Sequence, residues 1–89
     1  MPKNKKTNIE QYVINKIKEI RNSKGFSQED IAFILDKSRG FIGQIESPNH
    51  PAKYNLNHLN TLAIELGVSL KDFFPEKPLK ENLKGKKQK

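Results

Sequence analysis

Cysteine is absent from this chain of 89 residues, which excludes disulfide staples and thiolate metal sites and fits a reducing compartment. Apolar runs reach only a few residues, too short to span a membrane, and MPKNKK at the start has no hydrophobic stretch behind it to act as a secretion signal. A soluble, cytoplasmic protein is expected. Histidine occurs only at His50 and His58, without carboxylates at zinc-site spacing; both are expected on the surface, and no metal is expected. No serine sits in a nucleophile elbow and no glycine-rich loop follows a strand, so neither an enzyme nor a cofactor site is indicated. Strand signals and internal repeats are also missing, and the length suits one small domain.

What is present begins with charge. The formal net charge is +7, which invites a nucleic-acid reading, but its location matters more than its size. Lys3, Lys5 and Lys6 contribute +3, and residues 75–89 contribute +4 through six lysines against Glu76 and Glu81. Residues 7–74 carry eight basic and eight acidic groups and are neutral. The chain therefore divides into a basic arm over 1–6, a domain over 7–75 and a lysine-rich tail over 76–89 that is expected to be disordered. The tail would add salt-sensitive affinity for any polyanion.

Start and stop signals divide the domain into five helical pieces. Thr7 and Glu10 have capping-box spacing, and Tyr12, Val13, Ile17 and Ile20 recur at helical intervals, predicting helix one over about 8–23. Ser27 and Asp30 repeat the pattern ahead of helix two at 28–35, with Ile31, Ala32 and Leu35 facing inward. Ser38 caps a third helix from Arg39 to about Glu46, with Ile42 and Ile45 inward. Gly40 and Gly43 each cost that helix roughly 1 kcal/mol relative to alanine, so packing must hold it; the glycines are read first as sites of close packing and second as sites of ligand approach. Residues 47–55, with Pro48 and Pro51, read as a loop. Leu56, Leu59, Leu62, Ala63 and Leu66 mark helix four, ended by Gly67, and Ser69 with Asp72 opens a short fifth helix stopped by Pro75. Phe26, Phe73 and Phe74 are expected in the core or at a dimer contact.

Helices two and three, joined by a tight turn, place small Ala32 between the aliphatics Ile31, Leu35, Ile42 and Ile45, as steeply crossed helices require. The run S-Q-x-D-I-A, then S-x-x-x-I-x-x-I-E, then L-x-x-L-A-x-x-L-G-V-S-L-x-D-F resembles the Cro/C1-type helix-turn-helix family of bacterial and phage transcriptional regulators over about residues 13–74. This resemblance implies an all-α, five-helix, lambda-repressor-like DNA-binding domain. It also implies roles. Gln28 matches a phosphate-binding glutamine, and Ser38, Arg39, Gly40, Phe41 and Gln44 match positions facing the major groove. Arg39 suits guanine O6 and N7, and Gln44 suits adenine N6 and N7. Lys37, Ser38, Lys53 and Tyr54 are expected at the DNA backbone, and Arg21 and Glu46 match an ion pair that ties helix one to helix three.

Two positions depart from the family pattern. Asp36 stands where glycine is common, and a left-handed backbone is open to aspartate. Phe41 is bulky where many members have a small polar group; it has three readings, which are contact with a thymine methyl, an apolar patch shared with Phe33 for a protein partner, and core packing. The expected function is a sequence-specific regulator of transcription, in the simplest case a repressor that occludes a promoter. It would bind double-stranded DNA as a homodimer, with recognition helices about 34 Å apart. Dimer contacts are expected from the loop before helix four and from Leu70 to Phe74. The alternative is a protein-interaction module on the same fold, antitoxin-like or an adaptor.

Overall fold

Each helix begins where a short polar side chain takes up amides that the helix itself leaves free. Thr7 and Glu10 form a reciprocal capping box before α1 (Asn8–Ser23), and Ser27 with Asp30 does the same before α2 (Gln28–Leu35). Ser38 accepts from the Phe41 amide at the head of α3 (Arg39–Glu46), and Asn55 caps α4 (Leu56–Leu66). The structure, a computed structural model, describes residues 6–81; the arm over 1–5 and residues 82–89, both placed in the basic ends by the sequence, lie outside the described residues.

Helix ends follow backbone chemistry as closely as the starts. Gly67 takes φ +71° and stops α4. Asp36 adopts φ 57° and ψ 47°, so the α2–α3 corner is the left-handed residue that its sequence admits, and the Lys37 amide closes the corner on the Ala32 carbonyl at 2.9 Å. The fifth helix expected from Ser69 and Asp72 is a single 3-10 turn, Leu70–Phe73. Only four residues fit between the cap and the extended Phe74 that precedes Pro75, too few for repeated α-helical bonds.

Inward faces meet in one core. Ile31, Ala32 and Leu35 of α2 pack on α3 and α4, while α1 packs on α3 and on the 3-10 turn. Ile17, Ile31, Ile42, Ile45, Leu62 and Phe73 are fully buried. On α1 the buried stripe is Val13, Ile14, Ile17 and Arg21; Ile14 was not expected there, and Tyr12 and Ile20 lie at its half-buried margins. Leu56, the first residue of the expected apolar pattern of α4, is 79 % exposed instead. It is the first residue of the helix.

Residues 6 and 80–81, the described edges of the two ends, are bonded to the α3–α4 loop and to the head of α1. Lys6 is buried, and its Nζ donates to the carbonyl oxygens of Ser47 and His50 in the α3–α4 loop. Burial pushes its ammonium pKa down, with Glu10 opposing. The segment expected to be disordered from residue 76 returns to α1: the two carboxylate oxygens of Glu81 accept from the Asn8 and Ile9 amides, each at 2.8 Å. The Asn8 side chain donates to the Lys80 carbonyl at 2.8 Å.

Candidate nucleic-acid interface

α3 has one face committed to the core and one left free. Ile42 and Ile45 are fully buried, whereas Ser38, Arg39, Gly40 and Gln44 are exposed on the opposite side. This division follows from period 3.6 over eight residues. A side chain added at Gly40 would meet nothing closer than Ser38 Oγ at 3.9 Å, and at Gly43 nothing closer than Gln28 Oε1 at 3.9 Å. Neither glycine is therefore required by close helix packing, contrary to the first sequence expectation. The outward backbone at Gly40 is simply open.

Three helices are locked together behind this face. Arg21 Nε donates to Glu46 Oε2 and Arg21 Nη2 to Glu46 Oε1, both at 2.8 Å, a bidentate pair between α1 and α3. The second terminal nitrogen, Nη1, donates to the Phe26 carbonyl and to Asn22 Oδ1 at 3.0 Å. Gln28 Nε2 joins from the head of α2, donating to Glu46 Oε1 at 2.9 Å. Burial pushes the Glu46 carboxyl up, but the bonds and charge of Arg21 and the Gln28 amide outweigh it and hold the group below the usual carboxylate range. The same bonds hold the guanidinium protonated more firmly than usual.

An open cleft runs between the end of α1, the head of α2 and the start of α3, lined by Asn22, Ser27, Gln28, Glu29 and Arg39 among others. Arg39 and Gln28, assigned to base and phosphate contacts, thus share one concavity. The first amides of α2 and the guanidinium of Arg39 give it the chemistry to hold an anion, with Glu29 as an opposing charge. Gln28 already uses one amide hydrogen on Glu46, which leaves it oriented.

Lys37 and Phe41 lie beside the exposed face of α3. Phe41 is half-buried and packs on the core, its ring edge-on to His58 at 6.3 Å and 73°. Lys37 Nζ sits 5.8 Å from the Phe41 ring centroid. Of the three readings of Phe41, packing accounts for most of the ring. Phe33 is apart from it in role, 87 % exposed on α2.

Tyr54 and Lys53 do not join this surface. Tyr54 is only 8 % exposed and its hydroxyl is buried without a partner, so it is a core residue rather than a phosphate contact. Burial, with the Glu46 charge adding, pushes its pKa up. Lys53 Nζ is bonded to Glu10 Oε2 at 2.8 Å on the α1 side of the molecule. Its neighbours there are Ile9, Leu56 and Phe74. A charge next to two prolines in a loop reads as free in sequence; the fold places an acid beside it. Glu10 feels burial upward, but Lys53 and the Thr7 amide hold it below its usual range.

His58 was missed. It is half-buried, stacks edge-on with both Phe41 and Tyr54, and takes the place of an acid in the α4 capping box, its Nδ1 accepting the Asn55 amide at 3.1 Å. Burial pushes its pKa down, and Lys37 adds to the shift. The signal was its position three residues after Asn55. His50, also expected on the surface, is half-buried and accepts the Ala52 amide. Among the described residues no cluster of acids, histidines or cysteines could hold a metal, and no helix is long and apolar enough to cross a membrane.

Comparison with known proteins places these features in a wider set. A family model described as "Helix-turn-helix" matches residues 17–73. The restriction-modification controller protein C.AhdI from Aeromonas hydrophila is similar at 27 % identity and TM-score 0.59, over 71 % of this chain and 92 % of that one. A mutant of a second controller protein, C.Esp1396I, is similar at 33 % identity and TM-score 0.58, over 71 % and 77 %. Hydroxypropylphosphonic acid epoxidase from S. wedmorenis shares the fold at 18 % identity and TM-score 0.64; this chain spans 35 % of its length. No curated protein sequence matches.

Proposed function

Because the chain belongs to the Cro/C1-type helix-turn-helix family, whose model covers residues 17–73, we propose that this DNA-binding regulator of transcription reads a specific duplex sequence with α3 in the major groove. The observation that carries the reading is the pairing of an exposed Arg39 and Gln44 with an inner face of the same helix that is fully buried and tied by Glu46 to two neighbours. A helix so fixed presents its two base-reading side chains in one orientation. Gln28, Lys37 and Ser38 are the backbone contacts of this proposal, with Gly40 admitting the duplex close to the helix. Similarity to two controller proteins of restriction-modification systems supports a regulatory role.

The active species is a homodimer that binds an inverted repeat and represses by occluding a promoter in the cytoplasm. Leu70 and Phe74, both exposed, lie in one of the two regions assigned to the dimer contact, and exposed Leu56, the first residue of α4, adjoins the other, the loop before that helix. The protein-interaction reading keeps one specific support, the bare ring of Phe33. Selection from a random duplex pool tests the proposal: an enriched palindrome is expected, and Arg39→Ala should relax one base position at a cost of about 1–3 kcal/mol. A pool that retains no motif would sink it.

A further inference from the structure

One face of α1 is polar along its whole length. Asn8, Gln11, Asn15, Lys18 and Asn22 recur at steps of three or four, which brings them into one line on a helix of period 3.6. Gln11 is half-buried and the others are exposed. Between Gln11, Asn15 and Lys18 on one side and Pro48 of the α3–α4 loop on the other lies a cleft of about 480 Å³, bordered by Glu46. Asn22, one turn beyond Lys18, lines the reading cleft with Gln28 and Arg39. The two clefts therefore follow one line of side chains on α1, with Arg21 lining one and its partner Glu46 the other.

Hydrogen bonds within this line decide what it offers. Gln11 Nε2 donates to Asn15 Oδ1 at 2.9 Å, and Arg21 Nη1 donates to Asn22 Oδ1 at 3.0 Å. In both asparagines the oxygen is taken and the NH2 group is left as a donor. The Glu46 oxygens receive Arg21 and Gln28, so the carboxylate bordering the cleft is already matched. Glu19, at the edge of the line, is engaged by Lys16 at 3.3 Å. What remains to meet a partner is the NH2 groups of Asn15 and Asn22 and the ammonium of Lys18. Such a line suits a partner rich in acceptors, with negative charge repeated along its length. We propose that α1 binds the phosphate backbone of the duplex past the base pairs read by α3, through Gln11, Asn15, Lys18 and Asn22. That this backbone belongs to duplex DNA rests on the reading role of α3. From Gln11 to Asn22 the helix rises about 16 Å, and phosphates of one strand advance about 3.4 Å each, so the line matches roughly four to five of them. Because amides make most of the contact, it depends on salt far less than a cluster of lysines would.

The test is binding of the full-length chain to a random-sequence duplex across a salt series, followed by fluorescence anisotropy. Gln11→Ala combined with Asn15→Ala should weaken binding roughly five- to thirtyfold, because two hydrogen bonds to phosphate are lost. The slope of log affinity against log salt should stay the same in that variant, since no charge is removed. Lys18→Gln should lower the slope by about 0.9. Lys16→Gln removes the same charge from a neighbouring face of the helix and should leave the slope as it is. Alanine suits a helix interior better than either amide, and melting followed by circular dichroism establishes that each variant is folded at the binding temperature. Unaltered affinity in the double variant overturns the proposal. Equal slopes for Lys16→Gln and Lys18→Gln also overturn it, since net charge alone would then account for binding. Arg39→Ala should leave these differences in place, and a random pool that retains no motif removes the reading role of α3 without touching them, so the two failures are told apart.

Discussion

Glu46 is the residue on which most of the interface geometry turns, since its two oxygens receive Arg21 twice and Gln28 once. Glu46→Gln leaves a buried guanidinium without its counter-charge and should cost about 3–5 kcal/mol of stability, measured by urea unfolding. The pH dependence has a definite sign. A carboxyl held below its ordinary 4.5 stabilises the fold above that value, and the stabilisation is lost as pH falls through the lower folded value. His58 acts in the same direction at higher pH: held below 6.5 and accepting the Asn55 amide, it must lose that bond to gain a proton. Unfolding free energy should therefore begin to drop below about pH 6.5 in the wild type and less steeply in His58→Gln. Tyr54 offers the opposite test, because its buried hydroxyl has no partner. Tyr54→Phe should be neutral or stabilising by about 1 kcal/mol, since the cost of burying that hydroxyl disappears; a loss above 2 kcal/mol would reveal a bond made in solution.

At the level of elements, local chemistry was readable and distant chemistry was not. Thr7, Ser27 and Ser38 announced their helices because a cap acts over three residues, and Asp36 carried its corner because the left-handed conformation is a property of one residue. The 3-10 turn was misjudged as a helix because capping sets where an element starts and says nothing of how many residues remain to complete it. Lys53 and Tyr54 were misplaced because an exposed loop residue and a buried one look alike until Glu10 and the core close around them. Glu81 could not be read at all: nothing in a lysine-rich tail marks an acid that will cap a helix 73 residues earlier. The open space at Gly40 yields a prediction for α3. Gly40→Ala should raise stability by roughly 0.5–1 kcal/mol, because the helix gains propensity without a clash. If the duplex approaches there, the same change should weaken operator binding; improved stability with unaltered affinity would remove Gly40 from the interface.

Among the described residues the molecule has an asymmetric surface: an open cleft at one end of α1, the Glu81 contact at the other, and exposed apolar side chains around Leu56 and Phe74. Leu56→Lys combined with Phe74→Lys should convert the proposed dimer to a monomer in analytical ultracentrifugation. Leu56 is so exposed that its replacement should alter unfolding by no more than about 0.5 kcal/mol. A dimer that survives both changes would move the contact elsewhere. The knot of Arg21, Glu46 and Gln28 has a temporal consequence as well. Amides of α3 beyond its first turn should exchange with solvent only when the whole domain opens, because two other helices hold the end of this one through Glu46. A reader already rigid before the encounter has little freedom left to surrender, so right and wrong sequences should be met equally fast and distinguished by how long they are kept.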